Sequence, residues 1–314
     1  MSINKFFQLV QIKAKLASFI SFSLGTAYAI YRYRSFNLNN FIIMFISVMA
    51  FAMATTAINN YIDDKKEKNN LMKNNFIEKY GINETKVLLI IFTFLTIATI
   101  AGIVLTLRTN IVVLFLGIIS FGIGIFYTFG PIPISRMPLG EIFSGFFEGF
   151  IVIFLAIYIH IYDTNIVSFT YQKNILSFNI NVLEVLSIFL YAIPTVIGIA
   201  NIMLANNICD LEEDILNDRF TLPYYIGKPM ALKLFKLLYY IAYADIAVLV
   251  ALKMLPLASL FILLTLIIVN RNINIFQKGP SKSKNFILSI KNFVLINATQ
   301  VVILGIMTIS IKIL

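Results

Sequence analysis

An all-α, polytopic membrane protein is the fold class this sequence predicts, and three observations carry that expectation. Hydrophobic residues make up 59% of the 314 residues, with a mean hydropathy of +0.88. Charged residues are only 13%. Apolar stretches of about 20 residues, enough to cross a bilayer core of about 30 Å, recur along the whole chain. A soluble domain of this length has too little interior to hide so much apolar surface. No stretch is left for a separate soluble unit, so residues 1–314 read as one domain.

The spans follow in order. Nine are expected, at 16–31, 40–60, 87–107, 111–129, 140–161, 185–207, 234–252, 256–270 and 288–311. The first follows Lys5, Lys13 and Lys15, and its Ala27-Tyr28-Ala29 imitates a signal cleavage site. It runs straight into Arg32 and Arg34 and is read as a membrane helix. Placing the N-terminus in the cytoplasm puts most of the 25 Lys and Arg residues on that side. The net charge of +10 is therefore a topology signal, and no nucleic acid is expected as a partner because the basic residues are divided among short loops. The hydrophilic stretches 61–86 and 208–233 then share the cytoplasmic face with the turn-rich segment 130–140 and the basic segment 271–291. On the opposite face, 162–184 is expected to be a loop or an interfacial helix.

One cysteine, Cys209, and one histidine, His160, exclude a structural zinc site or a disulfide framework. His160 lies in an apolar run and reads as structural or interfacial.

The chemistry lies in a repeat. Asn59-Asn60-Tyr61-Ile62-Asp63-Asp64-Lys65-Lys66-Glu67 ends one span, and Asn206-Asn207-Ile208-Cys209-Asp210-Leu211-Glu212-Glu213-Asp214 ends another. Both read Asn-Asn-x-x-Asp with an acid four residues later, as a duplicated helical half would. Residues four apart share a helix face, so Asn59, Asp63 and Glu67 form one row and Asn206, Asp210 and Asp214 another. Asp218 extends the second row if its helix continues; Asp64 and Glu212 point elsewhere. Two carboxylates 4 Å apart repel by about 4 kcal/mol at an effective dielectric near 20. Such rows persist when solvated or when a cation sits among them. Oxygen-only donors suit a hard cation such as Mg2+, which completes its shell with water and substrate phosphates.

At these residues the chain resembles the UbiA superfamily of intramembrane prenyltransferases, and most closely its menaquinone-pathway members. Three segments carry the likeness: Asn206 to Leu222, Gly124 to Gly145 (with Pro133, Arg136, Pro138 and Glu141), and Leu9 to Ala29 with Lys15 inside. The chain departs from the family pattern at four places: Asn60 for Asp, Glu67 for Asp, Cys209 for Arg, and the run Asp218-Arg219-Phe220 for Gly-Lys-Arg. The resemblance implies two pseudo-repeated halves, with about nine helices around a central lipid-accessible cavity. In it, an aromatic acceptor such as 1,4-dihydroxy-2-naphthoate is alkylated by an allylic polyprenyl diphosphate, with loss of the carboxylate. Asp63, Asp210 and Asp214 are then the catalytic acids. The metal is held by these three with Asn59, Glu67 and Asn206. Arg136, Arg219, Lys15 and Lys66 are the candidate cations for the diphosphate. Tyr127 and Tyr61 are candidate aromatic contacts. Glu141 is either a contact for an acceptor hydroxyl or a helix cap. The expected location is a bacterial plasma membrane with the site facing the cytoplasm. A different acceptor, a cation or lipid transporter, and a non-catalytic lipid-binding relative are the rival readings.

Overall fold

A computed structural model describes residues 3–66, 83–130, 133–164 and 166–313. Glu67 and Pro131 lie outside these residues, and the Lys66 side chain is likewise not described. The helices are α1 (Ile3–Leu9), α2 (Lys15–Tyr33), α3 (Leu38–Lys66), α4 (Glu84–Arg108), α5 (Ile111–Phe126) and α6 (Gly140–Tyr158). After a hairpin come α7 (Val182–Leu216), α8 (Leu222–Ile226), α9 (Lys228–Ala251), α10 (Leu257–Lys278) and α11 (Ile287–Ile313). Among the described residues, seven helices are long and apolar enough to cross a membrane: α3, α4, α6, α7, α9, α10 and α11. The other two expected spans are also helical. Helix α5 is shorter at 16 residues, and α2 is rich in Ser, Thr and Gly and largely buried.

Burial explains why α2 can be less apolar than its neighbours. It packs against α6 and α11, so its Ser21 and Thr26 face protein instead of lipid. Thr26 returns its hydroxyl to the Phe22 carbonyl, so this buried side chain is not left without a hydrogen bond. The main core joins α2, α6, α7 and part of α11 around Phe22, Tyr28, Phe154, Tyr191 and Phe293. A second cluster joins α7, α9, α10 and α11 around Phe235, Tyr239 and Phe276. Helix α3 lies chiefly against α4.

Helices α6 and α7 meet unusually closely. Gly145 and Gly149, one helical step apart, face the stretch of α7 just after Pro194. A Cβ on Gly149 would stand 2.7 Å from the Val196 Cα, and one on Gly145 2.7 Å from the Val196 carbonyl oxygen. Small residues at this spacing let backbones touch, the usual basis of helix association in lipid. The same segment, Gly145–Ile151, is wound as a π-helix.

The segment expected to be a loop or an interfacial helix is instead an antiparallel β-hairpin, β1 (Val167–Gln172) with β2 (Ile175–Ile180). Its two-residue turn uses Lys173 and Asn174, both at positive φ, as the right-handed twist of a hairpin demands. The alternation Val167-Ser168-Phe169-Thr170 and Phe178-Asn179-Ile180 is a strand pattern. His160 is structural, as expected: it is buried, and its Nδ1 accepts from the Asn37 amide at 3.0 Å.

Gly149→Ala should therefore destabilise the protein by about 1–3 kcal/mol through overpacking. Gly117→Ala, where an added Cβ meets nothing within 4 Å, should leave stability unchanged or slightly raised. Thermal unfolding of the two variants in one detergent checks the contrast.

Candidate active site

A cavity of about 1670 Å³ opens where α3 and α7 end. Its wall carries both acidic motifs: Asn59, Asn60, Asp63 and Asp64 from α3, and Asn206, Asp210, Glu213 and Asp214 from α7. Away from these tips the wall turns apolar and aromatic, with Phe51, Phe121, Phe143 and Phe147. Phe51 stacks on Phe121 at 4.0 Å between ring centroids. Gly124 makes room for it, since a Cβ there would stand 2.6 Å from the Phe51 ring.

The two rows meet at one side chain. Arg219 lies 3.8 Å from the Asp63 carboxylate and 3.3 Å from that of Asp214. The chain is turned back to place it there. Helix α7 ends at Leu216, and Asp218 takes a left-handed conformation with φ of 55°. The Arg219 amide then donates to the Asp214 carbonyl at 2.8 Å, and the Asp218 amide to Ile215 at 3.2 Å. That pair of bonds is a Schellman termination, with Asp218 at the position glycine usually holds. The second row therefore stops at Asp214, and Asp218 does not extend it, because the helix ends first. A second cation, Lys282 from the α10–α11 connection, pairs with Asp210.

In each Asn-Asn pair the second residue fastens a neighbouring element. The Asn60 amide donates to the Leu9 carbonyl at 2.7 Å and holds α1. The buried Asn207 amide donates to Glu141 at 2.9 Å and holds the start of α6. An aspartate at 60 has no N–H with which to make the first of these bonds. Asn59, from the first pair, accepts from the Thr128 hydroxyl.

The other expected residues divide. Tyr127 lines the cavity, its hydroxyl 3.3 Å from Ser144 and 3.5 Å from Met203 Sδ. Lys15 lines it too, donating to the Ala52 carbonyl at 2.7 Å and to Thr56. Arg136 does not. It braces the turn beside the second motif, donating to the Asn217 carbonyl at 3.3 Å and accepting from the Phe220 amide at 3.1 Å. Glu141 is buried against Asn207, outside the cavity lining, and Tyr61 turns away to Glu84 at 2.6 Å. Glu212 is exposed, as expected, but Asp64 is buried on the cavity wall. Lys282, Glu148 and the four phenylalanines were not singled out by sequence reasoning. Basic loop residues and apolar runs offer no pattern to choose among them.

Among the described residues, no three His, Cys, Asp or Glu side chains converge into a protein-only metal cage. The donor set is nonetheless all oxygen and stays acidic, since Asp63, Asp64, Asp210, Glu213 and Asp214 share the wall with two pairing cations, Arg219 and Lys282. This fits magnesium, which takes one or two carboxylates per ion and leaves the remaining positions to water and phosphate.

Comparison with known proteins places this geometry. The UbiA prenyltransferase family matches residues 18–293. The chain belongs to that family. It is a prenyltransferase of the membrane. It is 28% identical over 239 residues to the 1,4-dihydroxy-2-naphthoate octaprenyltransferase of Bacillus subtilis (strain 168), covering 75% of this chain and 70% of that protein. The fold is shared with a UbiA homolog from Archaeoglobus fulgidus bound to GPP and Mg2+, with a TM-score of 0.65 and 14% identity over 97% of this chain and 99% of that one. The apo UbiA homolog from Aeropyrum pernix K1 matches with a TM-score of 0.64 and 20% identity, over 94% and 98%.

Asp218→Gly should raise stability by about 1 kcal/mol, since it removes a left-handed L-residue without touching the ion pairs. An upward shift in the detergent melting curve is the expected result.

Proposed function

We propose that the protein transfers a polyprenyl group from an allylic diphosphate to 1,4-dihydroxy-2-naphthoate, with magnesium as cofactor. The observation that carries this reading is Arg219 joining Asp63 of one motif to Asp214 of the other, at the mouth of an aromatic-walled cavity. The identity to the Bacillus subtilis octaprenyltransferase supports the choice of acceptor.

Asn59, Asp63, Asn206, Asp210 and Asp214 would hold the metal, with Glu67 as a further candidate. Once bound, magnesium neutralises the leaving diphosphate. Arg219 and Lys282 are placed to bind its oxygens when released from the carboxylates they now pair with. The apolar wall takes the isoprenoid chain and keeps water from the developing allylic cation. Phe51, Phe121, Phe143, Phe147 and Tyr127 line the same space, and their rings would hold that cation by their quadrupoles. The acceptor ring carbon bonds to C1 as the C1–O bond breaks and diphosphate leaves with the electron pair. Loss of carbon dioxide from the alkylated carbon then restores aromaticity. The excess of Lys and Arg on the side of the motifs supports a cytoplasmic site in a bacterial plasma membrane.

Purified protein with labelled allylic diphosphate, magnesium and dihydroxynaphthoate tests this directly. Asp63→Ala and Asp210→Ala should each cut transfer at least a hundredfold, as should chelation of divalent ions. Full activity in both variants would sink the metal site, and transfer only to other acceptors would sink the substrate.

A further inference from the structure

The polar side chains below the acidic tips are not explained by diphosphate binding. Glu148 sits in the α6 membrane span, within the run Phe146-Phe147-Glu148-Gly149-Phe150, and lines the cavity. It lies on the π-helical segment, a local widening that often marks functional positions. Its carboxylate accepts from the Ser18 hydroxyl at 2.6 Å. Lys15, one turn before Ser18 on α2, is buried and lines the same cavity. Its bonds to the Ala52 carbonyl and Thr56 use two of its three N–H groups, and the Glu148 charge acts on it across the space between. Thr56 stands two turns before Asp63 on α3, about 10 Å along the helix. An acid and a base held at this depth cost free energy and mark function. Their depth separates them from the diphosphate end and sets them beside the aromatic wall.

We propose that Glu148 and Lys15 seat an ionisable aromatic acceptor, with Glu148 as the base for a ring hydroxyl and Lys15 as the partner of an acid substituent. The inference rests on the prenyl-transfer reading above and assigns the residues that take the acceptor. A hydroxylated aromatic acid carries both groups, in the complementary sense to the pair that would bind them. As the ring carbon bonds to C1 of the allylic chain, the C1–O bond breaks and diphosphate departs with its electron pair. The hydroxyl proton moves to the Glu148 carboxylate while the ring oxygen becomes a carbonyl. When the alkylated carbon loses carbon dioxide, or gives its proton to the departing diphosphate, the electrons return to the ring. Glu148 then gives its proton back to the oxygen, so it ends the cycle unchanged. Ser18 keeps one carboxylate oxygen in place throughout.

Glu148→Gln tests this, because the amide still accepts from Ser18 and cannot take a proton. Magnesium-dependent binding of a non-reactive allylic thiolodiphosphate should be unchanged, which shows that the fold and the diphosphate end are intact. Turnover with a hydroxynaphthoate acceptor should fall about 10²- to 10⁴-fold, with the acidic limb of the pH profile lost. The loss should shrink for acceptors whose hydroxyl is acidified by a nitro or fluoro substituent and is already ionised. Lys15→Gln should raise KM for carboxylated acceptors more than for the matching naphthols. Equal losses for acidic and ordinary hydroxyls, no loss, or loss of analogue binding would each overturn the assignment. Failure of the unaltered protein to prenylate any hydroxylated aromatic would instead overturn the reading on which it rests.

Discussion

Negative charge gathered at the rim of a bilayer is the constraint on which the rest of this structure depends. Two helices deliver their acids to one opening, and like charges so placed repel by several kcal/mol at close range. Arg219 touches both sets and Lys282 neutralises a third acid. The assembly is held in a partly neutralised state whose cations can exchange one set of anionic oxygens for another. A diphosphate entering with metal ions brings both signs of charge, so the guanidinium and the ammonium can turn to phosphate while the ions take over the carboxylates. The departure from the family pattern at Asp218-Arg219-Phe220 therefore keeps one cation where it is needed, and the left-handed Asp218 takes the backbone role of a glycine.

The repeat has a second, mechanical side. In each Asn-Asn pair one amide faces the opening and its neighbour ties down an adjacent element, α1 through Asn60 and α6 through Asn207. Position and chemistry are thus coupled within two consecutive residues. That is why Asn60, which departs from the family pattern, reads as a tether whose N–H an aspartate could not supply.

The membrane class and the pairing of the acidic rows were legible in the sequence, because hydropathy and four-residue spacing act locally along one helix. Asp63, Asp210 and Asp214 could be chosen that way, whereas Lys15, Tyr127 and Arg219 were named from their charge or aromatic ring, Lys15 as a contact for the diphosphate. What was hidden depends on contacts between segments far apart in the chain. Lys282 reaches Asp210 across 72 residues and Ser18 reaches Glu148 across 130, and neither leaves a periodic trace. Arg136 was read as a ligand contact because of its charge and loop position, and Glu141, at the start of a span, as either an acceptor contact or a helix cap. In the structure they brace backbone and amide groups beside the motif instead. The hairpin at 167–180 was overlooked because its turn, Lys173-Asn174, lacks the glycine that usually announces a two-residue reversal.

The contact of Gly145 and Gly149 with Val196 has a consequence for how the molecule can breathe. Backbones that already touch have no slack left for approach, and parting them would forfeit dispersion at both glycines. This seam therefore acts as the keel of the molecule. The wall that α3, α4 and α5 present to the cavity is built differently, with small residues such as Ala52, Gly102, Gly117 and Ser120, and an added Cβ at Gly117 meets nothing within 4 Å.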